Sequence, residues 1–137
     1  GADHGIISDE NALNEIKALT RNGADIAMEV VGMSPTLNLA IESVRKGGSI
    51  GIIGNIQNKT DFPLQSVVTR ELSIYGSCAS ECEYSESLEL IASKSIKVRN
   101  LITAIAPLSE GSEWFKRLYD GKEDMLKVIL RPDSEIN

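Results

Sequence analysis

The sequence predicts an α/β fold with a parallel sheet, and three observations predict it. Two short apolar segments without clean alternation, Asp25 to Val31 and Ser49 to Gly54, are typical of strands covered on both faces. An amphipathic helical pattern lies between them, and a second such pattern precedes the first segment. Strand, helix and strand joined by short turns make a βαβ unit, for which we expect a right-handed crossover.

The first predicted elements lie before this unit. Ile6-Ile7 predicts a short strand, and Ser8 is a candidate cap for a helix whose apolar face carries Leu13, Ile16 and Leu19. The helix inside the unit runs from Ser34 to Lys46. Ser34 can cap it, Pro35 fits the first helical position, and Gly47-Gly48 is expected to end it. Its apolar stripe comprises Leu37, Ala40, Ile41 and Val44.

The second half of the chain predicts further helices and strands. Leu72 to Ser77 alternates, with Leu72 and Ile74 on one face, as a strand near a sheet edge does. Trp114 and Phe115 are interpreted as core residues of a late helix. The remaining segments are the helices Pro63 to Val68, Ser85 to Lys94 and Ser109 to Tyr119, and a last strand, Leu126 to Leu130.

Composition and charge exclude several classes of protein. The 137 residues amount to one domain, and the formal net charge is −6. No Lys/Arg run is longer than Arg45-Lys46, so we expect neither nucleic acid nor an anionic membrane as a partner. No apolar run approaches the ~20 residues of a spanning helix. The opening residues do not resemble a signal peptide, so a cytoplasmic protein with reduced cysteines is expected.

Several chemical motifs are absent from the sequence. It contains no G-x-G-x-x-G and no P-loop, so no complete phosphate cradle is predicted. His4 is the only histidine, which argues against a catalytic constellation built on imidazole. Cys78 and Cys82 are four residues apart and do not form a C-x-x-C pair, so we predict no metal site there.

The candidate site lies where three predicted strands end, because ligands of open α/β sheets bind beyond the carboxyl ends of strands. Glu29 is an ionisable residue inside an apolar strand; it either serves a ligand or pairs with a nearby amide or arginine. Glycines at these ends either let a backbone approach a flat ligand or simply form turns. The three ends are Val30-Val31-Gly32, Ile53-Gly54-Asn55 and Gly76-Ser77-Cys78.

Six segments in order carry a family resemblance. They are Gly1 to Ser8, Gly23 to Gly32, Arg45 to Gly54, Arg70 to Ser77, Leu101 to Leu108 and Lys127 to Leu130. Together they resemble the medium-chain, zinc-type alcohol and polyol dehydrogenases, with the sorbitol (iditol) and threonine enzymes most similar. The chain is accordingly identified as the C-terminal part of such an enzyme, with the start of its cofactor domain missing.

This resemblance implies a two-domain enzyme that uses NAD or NADP, a catalytic zinc and a small alcohol or polyol substrate. It implies that residues 1–100 form a partial Rossmann-type sheet, the third to sixth strands of the cofactor domain. Residues 101–137 then form a C-terminal return segment, with helices and a strand that belong to the catalytic domain. The implied cofactor contacts are Val30, Val31, Gly32, Ile53, Gly54, Asn55, Ser77 and Cys78. The zinc ligands are expected upstream, outside this chain.

The chain also departs from the family pattern. Ala104 occupies the position where the family has a histidine, so this chain cannot provide whatever function that imidazole has in the family. The missing first strands would leave the edge of the Asp25 to Val31 strand open, so we expect the isolated chain to self-associate, and we expect a homo-oligomer. The last strand should likewise lack its usual partner in the catalytic domain. On its own the chain is expected to be inactive. The alternatives are a non-catalytic nucleotide-binding or oligomerisation module and, less favoured without a phosphate loop, a flavodoxin-like domain.

Overall fold

The computed structural model describes residues 1–121 and 124–132. The chain divides into two compact units, Gly1–Ala79 and Ser80–Asn137. The predicted division into a cofactor domain over residues 1–100 and a return segment over residues 101–137 stays a prediction. None of the described helices has the length and apolar character that crossing a bilayer requires.

The first unit contains a parallel sheet with the strand order β1-β2-β3, which confirms the predicted fold class. The strands are β1 (Ala24–Glu29), β2 (Val44–Ile52) and β3 (Ser73–Gly76), and the helices are α1 (Ala12–Thr20), α2 (Ser34–Ser43) and α3 (Leu64–Thr69). Helix α2 connects β1 to β2 as the βαβ pattern predicts. The core lies between α2 and the sheet. Its buried residues are Leu37, Ile41, Val44 and Ile50, each contributing about 1.5–3 kcal/mol by burial.

The second unit pairs two parallel strands, β4 (Ile102–Pro107) and β5 (Lys127–Arg131). Its helices are α4 (Tyr84–Ala92) and α5 (Gly111–Asp120), and short 3-10 helices cover Val98–Leu101 and Leu108–Glu110. The sequence predicted β5 but not β4, whose small and apolar residues gave no clear alternation. The last strand therefore has a neighbour, β4, within this chain.

The predicted strand at Ile6-Ile7 is wrong. These residues have no ladder partner among the described residues. Ile7 is 82% exposed, and its carbonyl accepts the N–H of Asp9 in a turn (2.8 Å). A strand forms only beside another strand, and the described sheet ends at β1. Helix α1 also begins later than predicted, after Asn11 rather than after Ser8.

Gly47-Gly48 does not end helix α2, contrary to prediction. The helix ends at Ser43, and both glycines lie inside β2, where Gly47 has a φ of +72°. The Arg70 guanidinium donates to the carbonyls of Ile41 (3.0 Å) and Val44 at this end of α2. Arg70, which is distant in sequence, thus provides the hydrogen bonds to the helix-end carbonyls that a glycine cap was expected to provide.

Two expectations about burial are also wrong. On β1, Ile26 and Met28 are 65% and 60% exposed, so this strand is not covered on both faces. The packed face is that of Ala27, which contacts the core beneath α2. On α5, Phe115 is largely exposed rather than a core residue. Its neighbour Trp114 is half-buried and stacks against the Arg117 guanidinium at 4.0 Å.

Candidate functional site

The three parallel strands end side by side at one edge of the sheet. Glu29, the last residue of β1, pairs with Ile52, the last residue of β2. Ile52 in turn pairs with Gly76, the last residue of β3. The segments that follow these residues therefore leave the sheet at the same level, as the sequence predicted for the three strand ends.

A cleft of about 360 Å³ opens between the ends of β2 and β3. It is lined by Ile52, Ile53, Gly54, Asn55, Gly76, Ser77 and Cys78. Every predicted contact on the second and third strand ends thus lines one cleft. The Ser77 N–H donates to the Ile52 carbonyl (2.9 Å) and holds the cleft's two sides together.

Several backbone groups of the residues that line the cleft make no hydrogen bond within the described part of the chain. Within residues 1–121 and 124–132, no hydrogen bond reaches the carbonyl oxygens of Ile53 and Ser77 or the N–H of Cys78. Gly76 has open space where a Cβ would stand, with no atom within 4 Å. The lining of the cleft therefore combines unpaired backbone acceptors and donors with a bare stretch of backbone at Gly76, which suits a flat ligand that carries an amide.

Val30, Val31 and Gly32, the predicted contacts on the first strand end, do not line this cleft. Val31 and Gly32 instead support its wall, because their carbonyls accept the N–H groups of Ile56 (3.4 Å) and Gln57 (2.9 Å). Val30 is 64% exposed and lines a separate groove of about 370 Å³ beside α1 and α2.

Gly32 and Gly54 are glycines because two backbones meet there. A Cβ on Gly54 would overlap Gly32 and Val31, and a Cβ on Gly32 would overlap Asn55. Gly32 also has a φ of +86°, which a side chain disfavours. At these two positions the close approach is between two loops of the protein.

Glu29 is 3% exposed, and the structure decides between its two interpretations: it pairs with amides. Oε1 accepts hydrogen bonds from the N–H groups of Val31 (3.0 Å) and Gly32 (2.8 Å) and from the Thr36 hydroxyl (2.7 Å). Oε2 accepts a second bond from the same N–H of Gly32 (3.0 Å), and the residue is buried. Burial raises the pKa of the Glu29 carboxyl, but the bonds from Gly32, Thr36 and Val31 outweigh it and hold the pKa below its ordinary value.

The N-terminus of α2 faces this edge, but the protein itself occupies it. The Gln57 side-chain carbonyl accepts the N–H of Ser34 (3.1 Å), and the Ser34 hydroxyl accepts the N–H of Asp61 (2.9 Å). Ser34 therefore tethers the loop after β2 instead of capping its own helix. Because these amides are engaged, we do not expect a phosphate group at this helix end.

Sequence reasoning missed Thr36 and Gln57. Neither residue belongs to a motif, and both act through contacts with partners on another segment, Glu29 and Ser34. A weak signal exists for Thr36: it lies in the first turn of α2, directly after β1, and its hydroxyl donates to Glu29 at the end of that strand.

The described residues do not form a zinc site. In the part of the chain that the structure describes, no group of three or more His, Cys, Asp or Glu residues could hold a metal ion. Cys78 and Cys82 are both exposed free thiols. These residues alone therefore do not fit the zinc that the resemblance implies.

The sequence model of the zinc-binding dehydrogenases matches residues 1–93, a range that contains the sheet, the cleft and Glu29. The chain belongs to the zinc-binding dehydrogenase family. This confirms the resemblance to medium-chain, zinc-type dehydrogenases.

Individual relatives support the same family and fold. It is 32% identical to a sorbitol dehydrogenase of Bacillus subtilis strain 168 over 97% of the chain and 38% of that enzyme. It superposes on the apo form of a zinc-dependent alcohol dehydrogenase 2 from Streptococcus pneumonia with a TM-score of 0.88 and 26% identity, covering 97% of the chain and 39% of that structure. An NAD-dependent alcohol dehydrogenase superposes with a TM-score of 0.76 and 25% identity, over 96% of the chain and 38% of that structure.

The chain therefore spans less than two fifths of the length of these relatives. The part that it matches is the C-terminal cofactor-binding region of medium-chain dehydrogenases.

Proposed function

We propose that this chain forms the nicotinamide-facing part of the cofactor site in an oxidoreductase. The reaction transfers hydride between an alcohol or polyol and NAD or NADP. The observation that carries the proposal is the cleft at the carboxyl ends of β2 and β3, with its unused backbone carbonyls and amide. The sorbitol dehydrogenase and the NAD-dependent alcohol dehydrogenase among the relatives support the class of substrate and cofactor.

The residues of the cleft match the chemistry of a nicotinamide. The free carbonyls of Ile53 and Ser77 are suited to accept the two N–H groups of its carboxamide, and the Cys78 N–H to donate to the carboxamide oxygen. Gly76 leaves room for the ring. When bound, the cofactor supplies or accepts the hydride, while these residues hold its reactive end in a fixed orientation. Val30, Val31 and Gly32 follow the adjacent strand β1, and we include them in the proposed site as the segment next to the cleft.

The described residues contain no group of His, Cys, Asp and Glu side chains that could hold zinc. We propose that its ligands and most of the substrate pocket are contributed by residues outside this chain. The chain by itself is accordingly proposed to lack activity.

The test is a titration of the full-length protein with NADH and with NADPH, followed by assays on a panel of polyols. We expect saturable binding of one cofactor and turnover of at least one polyol. Gly76→Ala should weaken cofactor binding roughly tenfold, equivalent to about 1.4 kcal/mol, because its methyl group enters the cleft. Binding of neither cofactor, or unchanged binding by the variant, would contradict the proposal.

A second candidate function, a non-catalytic oligomerisation module, is favoured by one observation. β1 is an edge strand of the described sheet and carries the exposed apolar residues Ile26 and Met28. Such an edge invites pairing with another chain. We propose that the isolated chain self-associates through this edge. Turnover of a polyol by the full-length protein would favour the oxidoreductase function over the oligomerisation module.

A further inference from the structure

Glu29 connects two segments that meet at the cofactor edge. Its backbone carbonyl accepts the N–H groups of Ile53 (2.8 Å) and Gly54 (3.1 Å), which belong to the segment after β2. Its side-chain carboxylate accepts hydrogen bonds from the N–H groups of Val31 and Gly32 and from the Thr36 hydroxyl. These donors belong to the turn after β1 and the start of α2. One residue therefore fixes both strand ends.

The connection continues from the turn to the cleft. The carbonyls of Val31 and Gly32 accept the N–H groups of Ile56 and Gln57. Gly32 also packs directly against Gly54 and Asn55, which line the cleft. A shift of the turn after β1 is thereby transmitted to one wall of the cleft, although Glu29 itself does not line it.

A carboxylate suits this position better than any neutral side chain. Both of its oxygens accept a hydrogen bond from the N–H of Gly32 (2.8 and 3.0 Å), and Oε1 also accepts Val31. A carboxamide whose oxygen takes the place of Oε1 keeps an acceptor for all three donors, but its NH₂ group then takes the place of Oε2. There it faces the N–H of Gly32, so that two donors oppose each other in a buried site. Bonds to an ionised acceptor are also shorter and stronger than neutral ones.

We propose that Glu29 is a positioning residue of the cofactor site. Its carboxylate fixes the turn from Val31 to Thr36, that turn fixes the loop from Ile53 to Gln57, and the loop sets the width of the cleft. The inference rests on the proposed function, because the position of this wall matters to the reaction only if the cofactor binds there.

The test compares variants of the full-length protein by their cofactor affinity. In Glu29→Gln we expect the cofactor Kd and KM to rise about tenfold, while kcat at saturating cofactor stays within about twofold. Glu29→Asp should not rescue binding, because its carboxylate is one methylene too short. Thr36→Val should show a smaller rise, and Thr36→Ser, which keeps the hydroxyl, should bind normally.

Ser43→Ala is the matched control for a merely structural effect. Ser43 is also buried on the same βαβ unit, and its hydroxyl donates to the Leu39 carbonyl (2.6 Å), away from the strand ends. Its loss should lower stability without changing cofactor affinity. If Ser43→Ala weakens binding as much as Glu29→Gln, or if Glu29→Gln binds normally, the inference is overturned while the proposed function stands.

Amide hydrogen exchange provides a readout that needs no cofactor. Exchange at Val31 and Gly32 should accelerate in Glu29→Gln and stay unchanged in Ser43→Ala. If Glu29→Gln fails to fold, Thr36→Val makes the same comparison, because it removes only one of the hydrogen bonds to the carboxylate. Normal hydrogen exchange and normal cofactor binding in Thr36→Val would then overturn the inference. A wild-type protein that binds neither NADH nor NADPH would overturn the proposed function and this inference with it.

Discussion

Gly32 and Gly54 meet backbone to backbone at the edge of the sheet, and no side chain fits between them. The contact joins the turn after β1 to the loop after β2. It explains why both strand ends carry a glycine without requiring that either glycine touch a ligand.

Gly54→Ala is therefore expected to destabilise the protein by about 1–3 kcal/mol, the usual cost of forcing an extra methyl group into a packed site. The Cβ would overlap backbone atoms of Gly32 and Val31, which cannot rotate away. Gly76→Ala is the control, since no atom lies within 4 Å of its Cβ position. Urea denaturation of both variants makes the comparison, and equal stability of the two would contradict the account.

The stabilisation from Glu29 should depend on pH. Its carboxyl has a pKa below the ordinary value of 4.5 in the folded protein, so the ionised group stabilises the fold above that pH. The stabilisation is lost as pH falls through the folded pKa. The difference in unfolding free energy between wild type and Glu29→Gln should thus be largest near neutrality and shrink below about pH 4.5.

Urea denaturation at neutral and acidic pH measures this difference. Ser43→Ala is again the control, because it removes a hydroxyl and its penalty should be the same at both pH values. A Glu29→Gln penalty that grew on acidification would show that the ionised carboxylate does not stabilise the fold.

Arg70→Ala should cost about 1–3 kcal/mol of stability. The guanidinium donates to the carbonyls of Ile41 and Val44 at the end of α2, and its loss leaves them without these donors. Arg45→Ala is the matched control: Arg45 pairs with Asp25 at 2.6 Å, but both side chains are largely exposed. Such a pair contributes ~0–1 kcal/mol. Thermal denaturation should rank the two, and a larger loss in Arg45→Ala would refute this role of Arg70.

Self-association of this chain on its own should depend on β1, the edge strand of the described sheet. We expect Ile26→Lys to weaken it, because Ile26 is an exposed apolar residue of the edge strand β1 and an added charge opposes strand pairing. Ile7→Lys is the control, since Ile7 is also exposed but lies outside the sheet. Sedimentation velocity over a concentration series measures both. A wild-type protein that stays monomeric at high concentration would rule out this interface.

The elements that the sequence predicted correctly are those that local patterns determine. The stripe that contains Leu37 and Ile41 predicts the buried face of α2, whereas Val44, the last member of that stripe, is buried as the first residue of β2. The apolar segments predict β1 and β2 in a parallel sheet. The common edge of the three strand ends followed from the same pattern, because parallel strands place their carboxyl ends together.

The errors arose where a contact distant in sequence decides the outcome. Ile6-Ile7 has the composition of a strand, but no strand pairs with it in the part of the chain that the structure describes. Gly47-Gly48 looks like a helix end, yet Arg70 satisfies that end from another segment. The tethers made by Thr36 and Gln57 were missed for the same reason, since no local spacing reveals which strand end a side chain will reach.

The most direct test of the proposed cofactor cleft uses the two cysteines of the chain. Both thiols are exposed, but only Cys78 lines the cleft, so Cys82 serves as an internal control. The rate of alkylation of each thiol by N-ethylmaleimide is measured by peptide mass spectrometry, with and without NADH or NADPH. With the preferred cofactor at about ten times its Kd, we predict that modification of Cys78 slows roughly tenfold while Cys82 reacts as before. Equal rates at Cys78 with and without either cofactor would contradict the account.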